Sequence, residues 1–197
     1  MIFFRQKLHE VITLPAPPKD DMKEALEVDE ITRLRTPEQV QSVMDHDQDP
    51  YFAIKKVIRE NNLEFHANEL EQILKESVPI ITHFKNFFNR KRPHVVLPRI
   101  QTLPSKTNKT PAYPSGHACQ SVLIGRYVAG KAPKLEKQIM TAAYECGYGR
   151  VIAGFHYVSD YDIGNLLGEK MYILMNKMDY GKEMNEGKVS FKNFLRD

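Results

Sequence analysis

The chain is short of what most specialised architectures require. It holds two cysteines, Cys119 and Cys146, too few for a disulfide framework or a four-ligand zinc site. It has little charge to spare: 28 basic against 25 acidic residues give +3, which suits neither a dedicated nucleic-acid binder nor a strongly attracted membrane protein. No apolar run nears the roughly 18 residues of a spanning helix, and mean hydropathy is −0.46. The start, MIFFRQKLHEVI, places only three apolar residues between Met1 and Arg5, short of a secretion signal. The expectation is a soluble, cytoplasmic protein with no membrane span. Period-two alternation, internal repeats and low-complexity tracts are also missing, so nothing argues for half-buried strands or a repeat array. With 197 residues, one domain with an arm can bury a core without staples.

What is present reads as helices. Residues 1–50 form an N-terminal arm broken by Pro15, Pro17 and Pro18, with charge-rich helical stretches over 19–44. From Leu70 the apolar positions Ile73, Leu74, Val78, Ile81, Phe84 and Phe88 recur every three or four residues, one face of a helix. Pro79 should kink or split that helix. Its end is expected near Lys91, because Pro93 disfavours helical geometry at Arg92. Residues 101–116 hold three prolines and many small polar residues, hence a loop. Further helices are expected over about 117–130, 134–150 and 158–178, with Gly164 and Gly168 in the last admitting a close neighbour. The catalytic unit is bounded at 51–178. A polar tail follows over 179–197, where Val189, Phe191, Phe194 and Leu195 are expected to dock a short turn. The fold class is all-α, a compact helical bundle.

Several chemical signatures fail on inspection. Asp45, Asp47 and Asp49 are spaced like half a calcium loop, but Pro50 takes the glycine position and Lys56 the closing glutamate. They read as a solvated acidic turn. Neither cysteine has an arginine six positions on, so both read as buried, inert thiols. No phosphate-binding glycine loop or zinc-protease helix occurs. No metal site is expected.

Three segments survive: Lys85-x6-Arg92-Pro93, Pro114-Ser115-Gly116-His117, and Arg150-x5-His156-x3-Asp160. Three cations from separate stretches can converge on one polyanion, and the arginine fork matches phosphate oxygens. Ser115 and Gly116 before a helix offer backbone N–H groups to an anion. Asp160, four residues after His156, can hold one ring nitrogen and leave the other as a nucleophile.

Together these segments resemble the type-2 phosphatidic acid phosphatase superfamily, whose pattern is K-x6-RP, PSGH and SR-x5-H-x3-D. That group includes bacterial class A acid phosphatases and vanadium haloperoxidases. The surroundings, AYPSGHA and ECGYGRVIAGFHYVSDYDIG, are similar to the class A enzymes. The resemblance implies a phosphomonoester hydrolase that needs no metal or other cofactor, with vanadate as inhibitor or transition-state mimic. It implies that Lys85, Arg92, Arg150, Ser115 and Gly116 bind phosphate. His156 would be the nucleophile, Asp160 its support and His117 the general acid and base. The substrate would be a small soluble phosphate ester such as a nucleotide or sugar phosphate. Gly149 departs from the pattern, replacing its serine. The two histidines would give a bell-shaped pH profile, His156 neutral and His117 protonated.

Other readings are a lipid phosphate phosphatase, a vanadate-loaded haloperoxidase, and a non-enzymatic binder of single-stranded nucleic acid through Arg90, Lys91 and nearby phenylalanines. The phenylalanines fit a core better, and Arg90 the mouth of the anion pocket, so no nucleic acid is expected. Lys106, Lys109 and Tyr113 in the preceding loop are candidates to meet the leaving group. Oligomeric state is open, and a homo-oligomer is compatible with the arm.

Overall fold

A computed structural model describes Phe4, residues 8–47 and residues 49–180, with side chains as far as Asn176. Its helices are α1 (Asp21–Leu34), α2 (Pro37–His46), α3 (Phe52–Glu60), α4 (Ala67–Phe88), α5 (Pro93–Val96), α6 (Gly116–Lys131), α7 (Glu136–Ile152) and α8 (Val158–Tyr180), with 3-10 turns at Leu8–Glu10 and Pro133–Leu135. No strand occurs among the described residues, so the all-α expectation holds. No helix among them is long and apolar enough to cross a membrane. The residues assigned to the tail beyond Tyr180 lie outside the described residues.

Local signals account for several helix boundaries. Asp20 caps α1 through the Lys23 N–H. Thr36 and Gln39 cap α2 reciprocally, with Pro37 in the first turn. α4 runs unbroken through Pro79, contrary to a split there. Its buried face of Leu70, Ile73, Ile80, Ile81 and Phe84 holds the helix together against the loss of one backbone hydrogen bond. It ends at Phe88, three residues earlier than expected, because Asn89 takes left-handed geometry (φ 44°) and returns its N–H to the Lys85 carbonyl. Pro93 then opens the single turn of α5.

The core is centred on α6, which packs against α4, α7 and α8. Cys119, Val122, Leu123 and Ile124 are inaccessible to solvent, as befits a helix covered on all sides. Both cysteines are buried free thiols, and burial pushes Cys146 up to about 12. α8 crosses α6 at two glycines. A Cβ at Gly164 would stand 2.6 Å from the Ser115 carbonyl oxygen, and one at Gly168 2.5 Å from that of Cys119. Since the obstacle is backbone, Gly168→Ala is expected to destabilise the protein by about 1–3 kcal/mol, read as a lowered urea midpoint at constant slope. The crossing also presses Ser115, at the start of α6, against the start of α8, where the site is built.

Residues 8–47, part of the segment read as an arm, lie against this bundle. α1 packs on α5 and α7, and α2 on α7. Tyr113 hydroxyl donates to the Pro15 carbonyl at 2.7 Å.

Candidate active site

The three sequence segments meet at one cavity of about 340 Å³. Lys85, Arg92, Gly116, His117, Arg150 and His156 line it, together with Val78, Ile81, Thr82 and Gln120 on one side and Thr107 and Thr110 on another. Lys85 comes from the last turn of α4, Arg92 from the residue before α5, His117 from the first turn of α6, and Arg150 from the last turn of α7. The Ala153–Tyr157 connection into α8 supplies His156.

Each cation is buried and held by oxygen. Lys85 Nζ donates to the Pro111 carbonyl at 2.6 Å. Burial, and then neighbouring Arg92, push its ammonium down to about 7. Arg92 donates through Nε to the Thr110 carbonyl at 2.8 Å and through Nη1 to that of Phe155 at 2.9 Å. Burial lowers it to about 10. Arg150 gives Nη1 to Asp47 Oδ1 and Nη2 to Thr107 Oγ1, both at 2.9 Å. Its Nε is buried without a partner.

The geometry fixes the His156 tautomer. Nε2 lies 3.1 Å from Arg92 Nη1, and a guanidinium only donates. Nε2 therefore carries the lone pair. Nδ1 carries the proton and gives it to Asp160 Oδ2 at 3.1 Å. Burial, reinforced by Arg92, Lys85 and Arg150, holds the imidazole well below its usual range, so it is neutral. Asp160 is fully buried and also accepts the Tyr157 N–H at 3.0 Å. Burial pushes its carboxyl up to about 6, against the pull of Arg90.

Not every expected residue sits where expected. Ser115 is buried and outside the cavity lining. Its hydroxyl caps α6 at the Ala118 N–H, while its own N–H donates to the Asp160 carbonyl at 2.9 Å. Thus it ties α6 to α8 behind the seat that Gly116 faces. His117, expected to carry a proton, is pushed down to about 3 by burial and by Arg150, so it is neutral. Its Nε2–H rests on the Asp47 carbonyl at 3.0 Å. Lys106 and Lys109 do not line the cavity; Thr107 and Thr110 do. Tyr113 is 1% exposed, edge-on to Phe88, so it belongs to the core. A side chain at Gly149 would first meet Val43 of α2, at 3.3 Å, and the hydroxyls on Arg150 come from Ser105 and Thr107 instead.

Two residues have partners that the sequence did not suggest. Asp47, read as part of a solvated turn, is 6% exposed. It pairs with Arg150 across 103 positions and accepts the Lys106 N–H at 3.2 Å. Burial works against its charge, but the Ser105 and Arg150 hydrogen bonds hold it below the ordinary carboxylate range. Arg90, assigned to the pocket mouth, is buried behind Asp160. The paired acids Asp21 and Glu24, one helical turn apart at the start of α1, were the available signal that a buried cation was waiting.

Comparison with known proteins places this geometry. The profile of the PAP2 superfamily matches residues 73–183. Over 87 residues the chain is 32% identical to the non-specific acid phosphatase of Salmonella typhi, covering 43% of this chain and 35% of that protein. Over another 87-residue match it is 28% identical to the non-specific acid phosphatase of Providencia stuartii, covering 44% and 35%. The chain thus spans about a third of the length of these relatives. Among solved structures it is similar to the first transmembrane PAP2 type phosphatidylglycerolphosphate phosphatase from Bacillus subtilis, with a TM-score of 0.59 at 16% identity over 92% of this chain and 94% of that one. At such identity the likeness is one of fold. Since the matching profile spans more than half of the sequence and contains all three cavity-lining segments, the chain belongs to the PAP2 superfamily.

Proposed function

We propose that the protein is a phosphatase that hydrolyses a small phosphate monoester through a phosphohistidine at His156, without a metal ion. The supporting observation is the convergence of Lys85, Arg92 and Arg150 with a lone-pair-bearing His156 Nε2 on one cavity. Phosphoryl transfer asks for positioning and for positive charge where the equatorial oxygens spread theirs. The three side chains supply that charge, and the Gly116 N–H at the start of α6 adds a helix-terminal donor. In the first step His156 Nε2 bonds to phosphorus as the ester oxygen leaves with its electron pair, and Asp160 balances the positive ring. In the second, water attacks phosphorus and releases His156.

The proton for the leaving oxygen arrives with the ester. A phosphate monoester titrates near pH 6, so the monoanion can pass its proton to His117 once bound. The dianion then remains among the cations, with an imidazolium poised to protonate the departing alkoxide. His117 afterwards accepts a proton from the attacking water. The cavity volume lies at the low end for ligand pockets, which suits a small alcohol such as a sugar or nucleoside.

For p-nitrophenyl phosphate, whose leaving group needs no proton, the pH dependence of kcat/KM follows from the free protein. Asp160 must be ionised, so activity falls below about 6. Lys85 must be charged, so it falls above about 7. The expected profile is a narrow bell between these values. Its alkaline limb moves up in kcat, because bound phosphate favours charged Lys85. Hydrolysis of p-nitrophenyl phosphate from pH 4 to 8 in excess chelator, with orthovanadate as competitor, is the test. Chelator-resistant, vanadate-inhibited turnover is the expected result. Loss of turnover in chelator, restored by a divalent ion, would overturn the metal-free reading. Absence of both turnover and vanadate binding would overturn the whole assignment.

A further inference from the structure

The guanidinium of Arg90 is 2% exposed and lies on no wall of the cavity, yet every nitrogen is used. Nη1 donates to Asp160 Oδ1 and to Ser159 Oγ, both at 2.7 Å. Nε donates to Asp21 Oδ1 at 2.9 Å, and Nη2 to Glu24. The ring of Tyr157 lies 3.8 Å from Cζ and that of Tyr113 5.9 Å, a cation–π packing that excludes water on those sides. Glu24 also accepts the Ser159 hydroxyl at 2.7 Å, so α1 grips both Arg90 and the first turn of α8. The chain of contacts runs His156, Asp160, Arg90, then Asp21 and Glu24.

We propose that Arg90 is a positioning residue for the reaction: it fixes Asp160 as a carboxylate behind His156, and α1 fixes Arg90 through Asp21 and Glu24. This rests on the phosphohistidine reading. Three carboxylates surround one guanidinium, so the arrangement is electrostatically tight. Without Arg90 they would face one another, and Asp160 would take up a proton. A protonated Asp160 neither balances a positive imidazole nor holds the Nδ1–H tautomer. The charges facing Asp160 are Arg90 from the α4–α5 connection, Lys85 of α4 and Arg92 before α5. Asp21 and Glu24 of α1 stand behind Arg90, with the hydroxyls of Tyr113 and Tyr157 nearby. Lys85 and Arg92 lie on the cavity side and meet phosphate, which leaves Arg90 as the cation committed to Asp160 on the side away from it.

The test is the pH profile of kcat/KM together with ¹⁵N imidazole shifts of His156 in Arg90→Met, Arg90→Lys and Glu24→Gln. Arg90→Met is expected to move the acid limb up by about one unit and to reduce the Nδ1–H population of His156. Arg90→Lys keeps the charge and restores the limb. Glu24→Gln keeps its shape but removes an opposing charge, and moves the limb down. A folded Arg90→Met with an unshifted acid limb and the wild-type tautomer would overturn the proposal. Should Arg90→Met not fold, an unmoved limb in Glu24→Gln does so. If the wild type shows neither turnover nor vanadate binding, the phosphatase reading has failed, and the tautomer spectra alone decide the role of Arg90.

Discussion

Replacing His156 with alanine is expected to lower turnover of p-nitrophenyl phosphate by about 10⁴-fold or more, as removal of a nucleophile does elsewhere. Inorganic phosphate should still bind within about tenfold of wild type, because the cations remain and ground-state binding of an anion asks little of the nucleophile. The fold should survive: Asp160 keeps Arg90 and the Tyr157 N–H, and Arg92 keeps the Phe155 and Thr110 carbonyls. The decisive readout is acid-labile label on protein after rapid quenching with radiolabelled ester, present in wild type and absent in His156→Ala. With p-nitrophenol leaving, which needs no proton, His117→Ala should still acquire the label and release it slowly. Turnover retained in His156→Ala would reject the covalent route.

Arg150→Ala should injure both activity and stability, and a double-mutant cycle separates the two. In the proposed mechanism Arg150 meets the transferring group, and loss of such a cation costs about 10²–10³ in kcat/KM. Breaking the pair leaves Asp47 buried without its counter-charge, a loss of about 3–5 kcal/mol. The Ser105 hydroxyl and Lys106 N–H that Asp47 retains put the expectation at the low end. Asp47→Ala in the Arg150→Ala background should recover part of the unfolding free energy and none of the activity. Asp47→Ala alone should lose less activity than Arg150→Ala, since Arg150 keeps its threonine and serine partners. Urea unfolding and kcat/KM on the four proteins give the coupling. Additive stabilities would show that Asp47 does not act through Arg150.

The difference between Lys85 and Asp47 shows what the sequence made legible. Helices α4, α6, α7 and α8 could be read because an apolar face repeats with helical period or because glycines mark a close crossing, both local properties. The motif residues could be read because their chemistry is specific even in isolation: a lysine, two arginines and two histidines at set spacings. Asp47 has no such signature. Three aspartates beside a proline look like any solvated turn until α2 is packed on α7 and one of them falls on Arg150. Arg90 shows the same limit, its partners being 66 to 70 positions away. The early end of α4 turned on the readiness of one asparagine for left-handed geometry, which Pro93 four residues later obscured. The continuity of α4 through Pro79 was decided by tertiary burial outweighing a local preference.

The span of these contacts bears on the order in which the molecule becomes competent. The Glu24–Ser159 hydrogen bond joins positions 135 apart, and the Asp47–Arg150 pair positions 103 apart. The helices need only their own neighbours, whereas these two closures must wait until loops of more than a hundred residues have been drawn shut. A chain can therefore be helical, and largely collapsed, while its anion seat is still in pieces. The cavity wall that these two pairs complete is therefore expected to close late in folding and to open first when α1 or α2 lifts away.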